Sequence, residues 1–255
     1  MKLKIMPYFT SSQIKQLKWI GLGSMVLDHI AVIFESPDLQ WLRIIGRSAF
    51  LIFGFIVAVH LAQGNGNIKK YALRMLCWAL LSQLPYQWAF NDKMSLNILF
   101  QFFAVIIYVS GWGQLSQKQL TKQLSGIGMI ILAITIAMTA DYQVYGFVYC
   151  LFCYLYVRHR PHTLWKQIIC FIGLFICVLN VNATMLITYL QSDLFPFVII
   201  AMGLTLLALI FPKLWSAVTA EKAVSYPQWQ HYFFYVFYPT HLLLLYAGKI
   251  YLTAY

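Results

Sequence analysis

Ionisable side chains interrupt the first two apolar runs of the sequence. Asp28 and His29 lie in the run 16–34, and Arg47 lies in the run 41–62. Each such group costs a few kcal/mol on membrane-insertion scales, so it requires a partner or a function. Asp28 and Arg47 are each about six residues from the end of their run, which places both roughly 9 Å below the same surface. Because either charge alone would be costly to bury, the spacing predicts a buried Asp28–Arg47 ion pair.

His29 is the candidate for acid–base chemistry. An imidazole in a polar cavity can act as a general base near neutral pH. Neighbouring residues on a helix point about 100° apart, so Asp28 cannot readily pair with Arg47 and also orient His29. Two structural alternatives stay open: His29 is a hydrogen-bonded core residue, and the ion pair only holds two helices together. The ion pair at the same depth favours a polar cavity around His29.

Lys18 precedes His29 by eleven residues. It therefore lies on nearly the same face of the first helix, about 16 Å away. A long phosphorylated ligand can place its phosphates beside Lys18 and its reactive end beside His29, and coenzyme A has this length. Lys18 is thus a candidate to bind the phosphates of coenzyme A, although the spacing alone favours a lysine that extends its ammonium group to the membrane interface. Further basic residues on the same side form a pool of phosphate contacts: Lys69, Lys70, Arg74, Arg158 and Arg160.

Three further polar residues stand in or beside later apolar runs. Asn97 opens the fourth run, Asp141 separates the fifth from the sixth, and His241 follows a proline in the last. A proline inside a helix leaves one carbonyl without its usual donor and can kink the helix, which often accompanies a cavity.

The elements that must position these residues are transmembrane helices. Of the 255 residues, 61% are hydrophobic and 10% are charged, and the mean hydropathy is +0.72; soluble domains carry about 25% charged residues. A bilayer span takes roughly 20 apolar residues, so the chain has room for nine or ten spans and little else. The composition predicts an all-α, polytopic membrane protein with one domain over residues 1–255, and it excludes a soluble enzyme.

Nine apolar runs are long enough to be read as spans. The segment 180–193 is a candidate for a tenth, re-entrant piece. The predicted spans are 16–34, 41–62, 72–90, 96–112, 124–140, 142–157, 166–184, 194–211 and 231–251.

The basic residues fall on alternate connections between these runs, which accounts for the net charge of +11. Cytoplasmic loops collect lysine and arginine, so this pattern predicts a cytoplasmic N-terminus and an external C-terminus. The basic excess is thereby explained by topology, and we expect no nucleic-acid partner. The clusters are Lys2, Lys4, Lys15 and Lys18; Lys69, Lys70 and Arg74; Lys118 and Lys122; Arg158, Arg160 and Lys166; and Lys213 and Lys222.

Five segments resemble the TraX family. They are MVLDHI (25–30), IGRSAFLIFGF (45–55), LNILF (96–100), YGF (145–147) and YPTHLLLL (238–245), in the family's order. The family comprises small polytopic proteins of conjugative plasmids, and its founding member N-acetylates the N-terminal residue of pilin. The spacing of Lys18 and His29 is also similar to that of the acyltransferase-3 superfamily, whose members use cytoplasmic acyl-CoA to acylate acceptors that often lie outside the membrane.

The resemblance implies a membrane-embedded acetyltransferase of the bacterial inner membrane, with acetyl-CoA as co-substrate and pilin or another envelope molecule as acceptor. His29 would be the general base, supported by Asp28 and Arg47. Arg47 and the Asn97 amide are candidates to stabilise the oxyanion. The resemblance also brings Tyr145 into the set of cavity residues: Asn97, Asp141, Tyr145 and His241. No metal is expected, since the cysteines lack the spacing of a zinc site.

Two alternative functions stay open. One is an O-acetyltransferase that modifies an envelope glycan or lipid. The other belongs to a different class: a transporter of a small solute, coupled to protons, that uses the Asp–Arg–His set as its pathway. Transporters usually show repeats with paired broken helices, and no such repeat is evident in this sequence.

Overall fold

The computed structural model describes residues 9–64, 66–161, 163–211 and 229–254, except the side chains of 229–231 and 253–254. These ranges hold α-helices and no named strand, with one isolated bridge between Leu96 and Ala140. The helices are α1 (Ser11–Phe34), α2 (Gln40–Gly46), α3 (Ser48–Gln63), α4 (Ile68–Phe90), α5 (Ile98–Leu115), α6 (Leu120–Thr139), α7 (Gln143–His159), α8 (Leu164–Val181), α9 (Ala183–Tyr189), α10 (Phe195–Ile210) and α11 (Trp229–Ala254).

Five helical segments are long and apolar enough to cross a membrane: Ser11–Phe34, Pro37–Gln63, Ile98–Leu115, Leu120–Thr139 and Leu164–Val181. The predicted fold class, a polytopic α-helical membrane protein, is thereby confirmed. The count of nine spans stays a prediction, although a helix lies in each of the nine predicted runs. Lys2, Lys4, Lys213 and Lys222, which contribute to the predicted orientation, lie outside the described residues.

The segment 180–193 contains the short helix α9. Its seven residues extend for only about 10 Å, so it does not cross a bilayer. A short helix therefore lies between α8 and α10, and a re-entrant course of this segment stays a prediction.

Local side chains determine where several helices begin. Thr10 and Gln13 form a reciprocal capping box at the start of α1, which satisfies two backbone N–H groups that the first turn leaves free. Asn67 caps α4 in a similar way, accepting from the backbone nitrogens of Lys69 and Lys70. At the end of α3, Gly64 takes a φ of 63°, a left-handed conformation that glycine adopts without steric cost.

The centre of the bundle consists of α3 and α5. Leu51, Phe55 and Ala58 of α3 are fully buried, as are Ala104 and Val105 of α5. α3 packs against α1 and α7, and α4 packs against α5 and α11. α1 also packs against α11, so residues of the first, second and last predicted spans lie close together.

The helices α6 and α8 lie at the periphery. Both expose large apolar side chains, for example Ile127 and Ile131 on α6 and Ile168 and Ile172 on α8. Contiguous exposed apolar surface of this kind is expected where a helix faces lipid.

Candidate functional site

A polar cavity of about 140 Å³ opens between α1, α3, α4, α5 and α11. Its charged and histidine side chains are Asp28, His29, Arg43, Arg47 and Asp141. Aromatic side chains from four helices form much of the rest of its wall. We refer to this space as the polar cavity.

Asp28 binds two arginines. Arg43 Nη1 lies 3.5 Å from Asp28 Oδ1, and Arg47 Nη1 lies 3.8 Å from Asp28 Oδ2. The predicted Asp28–Arg47 ion pair is present. Arg43 was missed by the sequence analysis, although its spacing of four residues from Arg47 places both on one helix face.

Arg47 also contacts the start of α7. Its Nη1 donates to the Tyr142 hydroxyl at 3.1 Å, and the ring of Tyr142 stacks on Phe50 with centroids 4.0 Å apart. The Nε of Arg47 is buried and has no hydrogen-bond partner among the described residues. A buried donor without a partner costs about 1–3 kcal/mol, so this guanidinium retains the capacity to bind an acceptor atom.

His29 is held from the side by α11. Its Nδ1 lies 2.7 Å from Nε2 of His241, and Nδ1 of His241 lies 2.8 Å from the carbonyl oxygen of Phe237. The two imidazole planes are inclined by only 7°. His29 lines the polar cavity, whereas His241 does not and is 5% exposed. The second histidine therefore lies behind the first, away from the cavity.

Asp141 lies between α6 and α7, outside both helices, and lines the polar cavity while part of its surface stays exposed. Its backbone nitrogen donates to the carbonyl of Leu96 at 2.9 Å, which fixes the connection. Partial removal of its carboxyl group from water raises the pKa of Asp141 to about 6, although the positive charge of Arg47 opposes this shift. The charge of Asp141 therefore changes at a pH closer to neutral than that of an ordinary aspartate.

Asn97 does not reach either cavity. It is fully buried, and its Nδ2 donates to the carbonyl of Ala79 at 2.7 Å and to Oε1 of Gln83 at 2.9 Å. Its Oδ1 accepts from the backbone nitrogen of Leu99 and so caps α5. Both amide hydrogens are occupied, so the expectation that Asn97 stabilises an oxyanion is wrong.

Tyr145 is also outside the cavity. It is 53% exposed on α7 and is absent from the lining of both cavities. Tyr142, which immediately precedes the first residue of α7, lines the polar cavity instead. The structure therefore does not bring Tyr145 into the polar cavity, because the helix turns its side chain outwards.

A second cavity of about 380 Å³ adjoins the first. Lysine and arginine side chains from two helices line it, and its described lining contains no carboxylate. We refer to it as the basic cavity. Its basic residues are Lys18, His60, Lys70 and Arg74.

Phe53 and Phe102 line both cavities, so they form a common wall. Gly21 of α1 packs against this wall, since a Cβ atom on it would lie 3.1 Å from the Phe53 ring. α1 therefore carries Lys18 at one cavity and His29 at the other. Of the remaining basic pool, Lys69, Arg158 and Arg160 line neither cavity.

Among the described residues, no group of three or more histidine, cysteine, aspartate or glutamate side chains is arranged to hold a metal ion.

The comparisons with known proteins agree with the resemblance in the sequence. Two Escherichia coli proteins, both named Protein TraX (one from strain K12), are 34% and 35% identical over 97 residues, which is 38% of this chain and 38% of each relative. The probable fimbrial assembly protein FimC, serogroup H1, of Dichelobacter nodosus is 26% identical over 256 residues, or 93% of this chain and 96% of that protein.

No solved structure matches the chain. The family model for TraX, described as TraX protein, matches residues 13–247. This match covers most of the sequence and includes both cavities, so the resemblance is confirmed: the chain belongs to the TraX family.

Proposed function

We propose that this protein is a membrane-embedded acetyltransferase that moves the acetyl group of acetyl-CoA to an acceptor amine, with His29 as the general base. The observation that carries the proposal is the pair of adjoining cavities along α1. One contains an imidazole beside a buried arginine, and the other contains a cluster of cations whose described surroundings include no lining carboxylate.

The basic cavity is suited to the phosphorylated head of coenzyme A. Lys18, Lys70 and Arg74 line it, and charge-assisted hydrogen bonds from such groups to phosphate are among the strongest in proteins. Its volume is in the usual range for sites that bind cofactors. The predicted orientation of the chain places this cavity on the cytoplasmic side, where acetyl-CoA is available.

The separation between the two cavities suits the pantetheine arm. Lys18 and His29 lie about 16 Å apart along α1. An arm that passes the common wall of Phe53 and Phe102 brings the thioester to His29 and Arg47. The two ends of one ligand would then be bound by residues of the same helix.

The polar cavity supplies the groups that direct acyl transfer needs. His29 accepts a proton from the acceptor nitrogen as that nitrogen attacks the thioester carbonyl. A C–N bond forms, the C–S bond breaks, and the proton leaves with the coenzyme A thiolate. Arg47 stabilises the oxyanion, because its buried Nε has no partner in the part of the chain that the structure describes and electrostatic stabilisation at this position lowers the barrier. Asp28 and the Tyr142 hydroxyl hold Arg47 in place.

For the acceptor, we propose the N-terminal residue of a pilin subunit. The family resemblance implies this substrate, and the Dichelobacter nodosus relative that aligns with nearly the whole chain is named as a fimbrial assembly protein. We place the enzyme in the bacterial inner membrane, with the acceptor approaching from the side of Asp141.

A transfer assay with labelled acetyl-CoA tests this proposal. Purified protein in lipid is incubated with a pilin N-terminal peptide that carries either a free or a formylated α-amine. We expect label to enter only the free peptide, and His29→Gln to prevent its incorporation. Label in neither peptide would contradict amine acetylation, and label in both would indicate a different acceptor atom.

A further inference from the structure

We infer that His241 is a positioning residue that fixes the tautomer of His29, so that Nδ1 of His29 carries the proton and Nε2 is the base. This inference rests on the proposed function for its catalytic meaning. The tautomer itself follows from contacts between α1 and α11.

The carbonyl of Phe237 determines the tautomer of His241. A carbonyl oxygen only accepts hydrogen bonds, so Nδ1 of His241, at 2.8 Å, must be the donor. A carbonyl has two lone pairs, so this bond is compatible with a helical hydrogen bond to the same oxygen. A neutral imidazole carries one proton. Nε2 of His241 is therefore an acceptor if the ring is neutral.

The surroundings of His241 favour the neutral ring. The residue is 5% exposed, and its ring stacks on that of Phe237 with centroids 5.0 Å apart. Within the described part of the chain, no carboxylate lies within ion-pair distance of it. Burying an unpaired charge in apolar surroundings is costly, so a neutral His241 is the stable state.

The acceptor nitrogen of His241 determines which nitrogen of His29 carries the proton. Its Nδ1 lies 2.7 Å from an acceptor nitrogen, so it must carry the proton. Only Nε2 remains for a ligand, and it has an unshared lone pair. The resulting chain of donors runs from His29 through His241 to the carbonyl of Phe237.

This arrangement explains how His29 is oriented although Asp28 is its neighbour. Asp28 is occupied by Arg43 and Arg47, so it does not hold the imidazole. His241 provides the orienting contact from another helix, and the edge of Phe90, with centroids 5.1 Å apart, supports the ring elsewhere. His241 lies behind His29 and does not line the polar cavity, which makes its role one of positioning.

The direct test is a measurement of the His29 tautomer. Protein labelled with ¹⁵N-histidine is studied in lipid by NMR, since the ¹⁵N shifts distinguish protonated from unprotonated ring nitrogens. His29→Gln identifies the signals, and His159→Gln, at a residue that lines neither cavity, is the control that leaves them unchanged. We expect the Nδ1–H tautomer in the wild type and an increase of the Nε2–H tautomer in His241→Leu. A wild-type Nε2–H tautomer would overturn the inference.

Kinetics give a second readout. Loss of the residue that orients a metal-bound histidine typically costs about 10–100-fold. By analogy, we expect a fall of this size in kcat for His241→Leu, with both KM values unchanged. His241→Gln keeps an acceptor oxygen and should restore most of the rate. Equal impairment of both variants, or no impairment of His241→Leu, would overturn the role of His241. The NMR result needs no turnover, so it stands even if the proposed reaction is wrong.

Discussion

Gly46 of α2 lies against the backbone of Asp28 in α1. A Cβ atom on Gly46 would lie 2.5 Å from both the backbone nitrogen and the Cβ of Asp28. The missing side chain thus determines how closely the two helices approach. Arg47, the next residue, reaches Asp28 for this reason.

The first prediction concerns this close approach. Gly46→Ala must push backbone against backbone, which no side-chain rotation relieves. We expect a loss of about 1–3 kcal/mol in the free energy of unfolding, as for other overpacked sites. We also expect reduced acetyl transfer, because the Asp28–Arg47 distance increases. Denaturant unfolding in detergent and the transfer assay measure the two effects.

Gly23→Ala is the matched control. Gly23 lies on the same helix as Asp28, and a Cβ atom there meets nothing within 4 Å. Replacement of an exposed helical glycine by alanine stabilises by roughly 0.5–1 kcal/mol. Equal stability of the Gly46 and Gly23 variants would show that the close approach is unimportant.

The second prediction concerns the sharing of Asp28 by two arginines. Removing one partner of a buried ion pair costs about 3–5 kcal/mol. Asp28→Ala leaves two arginines without a carboxylate partner, whereas Arg47→Ala leaves Asp28 with Arg43. We therefore expect Asp28→Ala to be the more destabilising substitution. A double-mutant cycle on Asp28 and Arg47 should show non-additivity, and purely additive effects would mean that the two residues do not interact.

The third prediction concerns the basic cavity. If Lys18 binds a phosphate of coenzyme A, Lys18→Ala should raise the KM for acetyl-CoA and change kcat much less, since the contact is shared by ground and transition states. Lys69→Ala removes an equal charge that lies outside the cavity and should change neither. Calorimetric titration with coenzyme A is the measurement. Equal affinity in the wild type and the Lys18 variant would refute the phosphate site.

The fourth prediction concerns pH. The pKa of Asp141 is raised from 3.8 to about 6 in the folded protein. Between these values the folded state holds a proton that the unfolded state has released, so this residue's contribution to stability falls as the pH rises through this window. Asp141→Asn cannot ionise and should lack this component. Thermal unfolding of both proteins across the window measures the difference, and parallel curves would contradict the raised pKa.

Periodicity and charge predicted the parts of this account that depend on one helix or one hairpin. The apolar runs predicted the helices, and equal depth on adjacent helices predicted the Asp28–Arg47 ion pair. Asn97 was misinterpreted because its position at the start of an apolar run fits a helix cap as well as a cavity residue. A capping role for asparagine at that position was a recognisable signal.

The pairing of His29 with His241 had no comparable signal. The two residues are 212 positions apart, and the contact depends on α11 packing beside α1. Local sequence patterns do not encode which distant helices become neighbours. The common wall of Phe53 and Phe102 had no sequence signal for the same reason.

The central claim is that His29 acts as the base in acetyl transfer. The most direct test is the turnover of acetyl-CoA by His29→Gln, beside the wild type and His159→Gln, with coenzyme A affinity measured for all three. General-base catalysis contributes about 10²–10⁴-fold, so we expect a loss of this size in His29→Gln alone, at unchanged coenzyme A affinity. Turnover by His29→Gln at the wild-type rate would contradict the account.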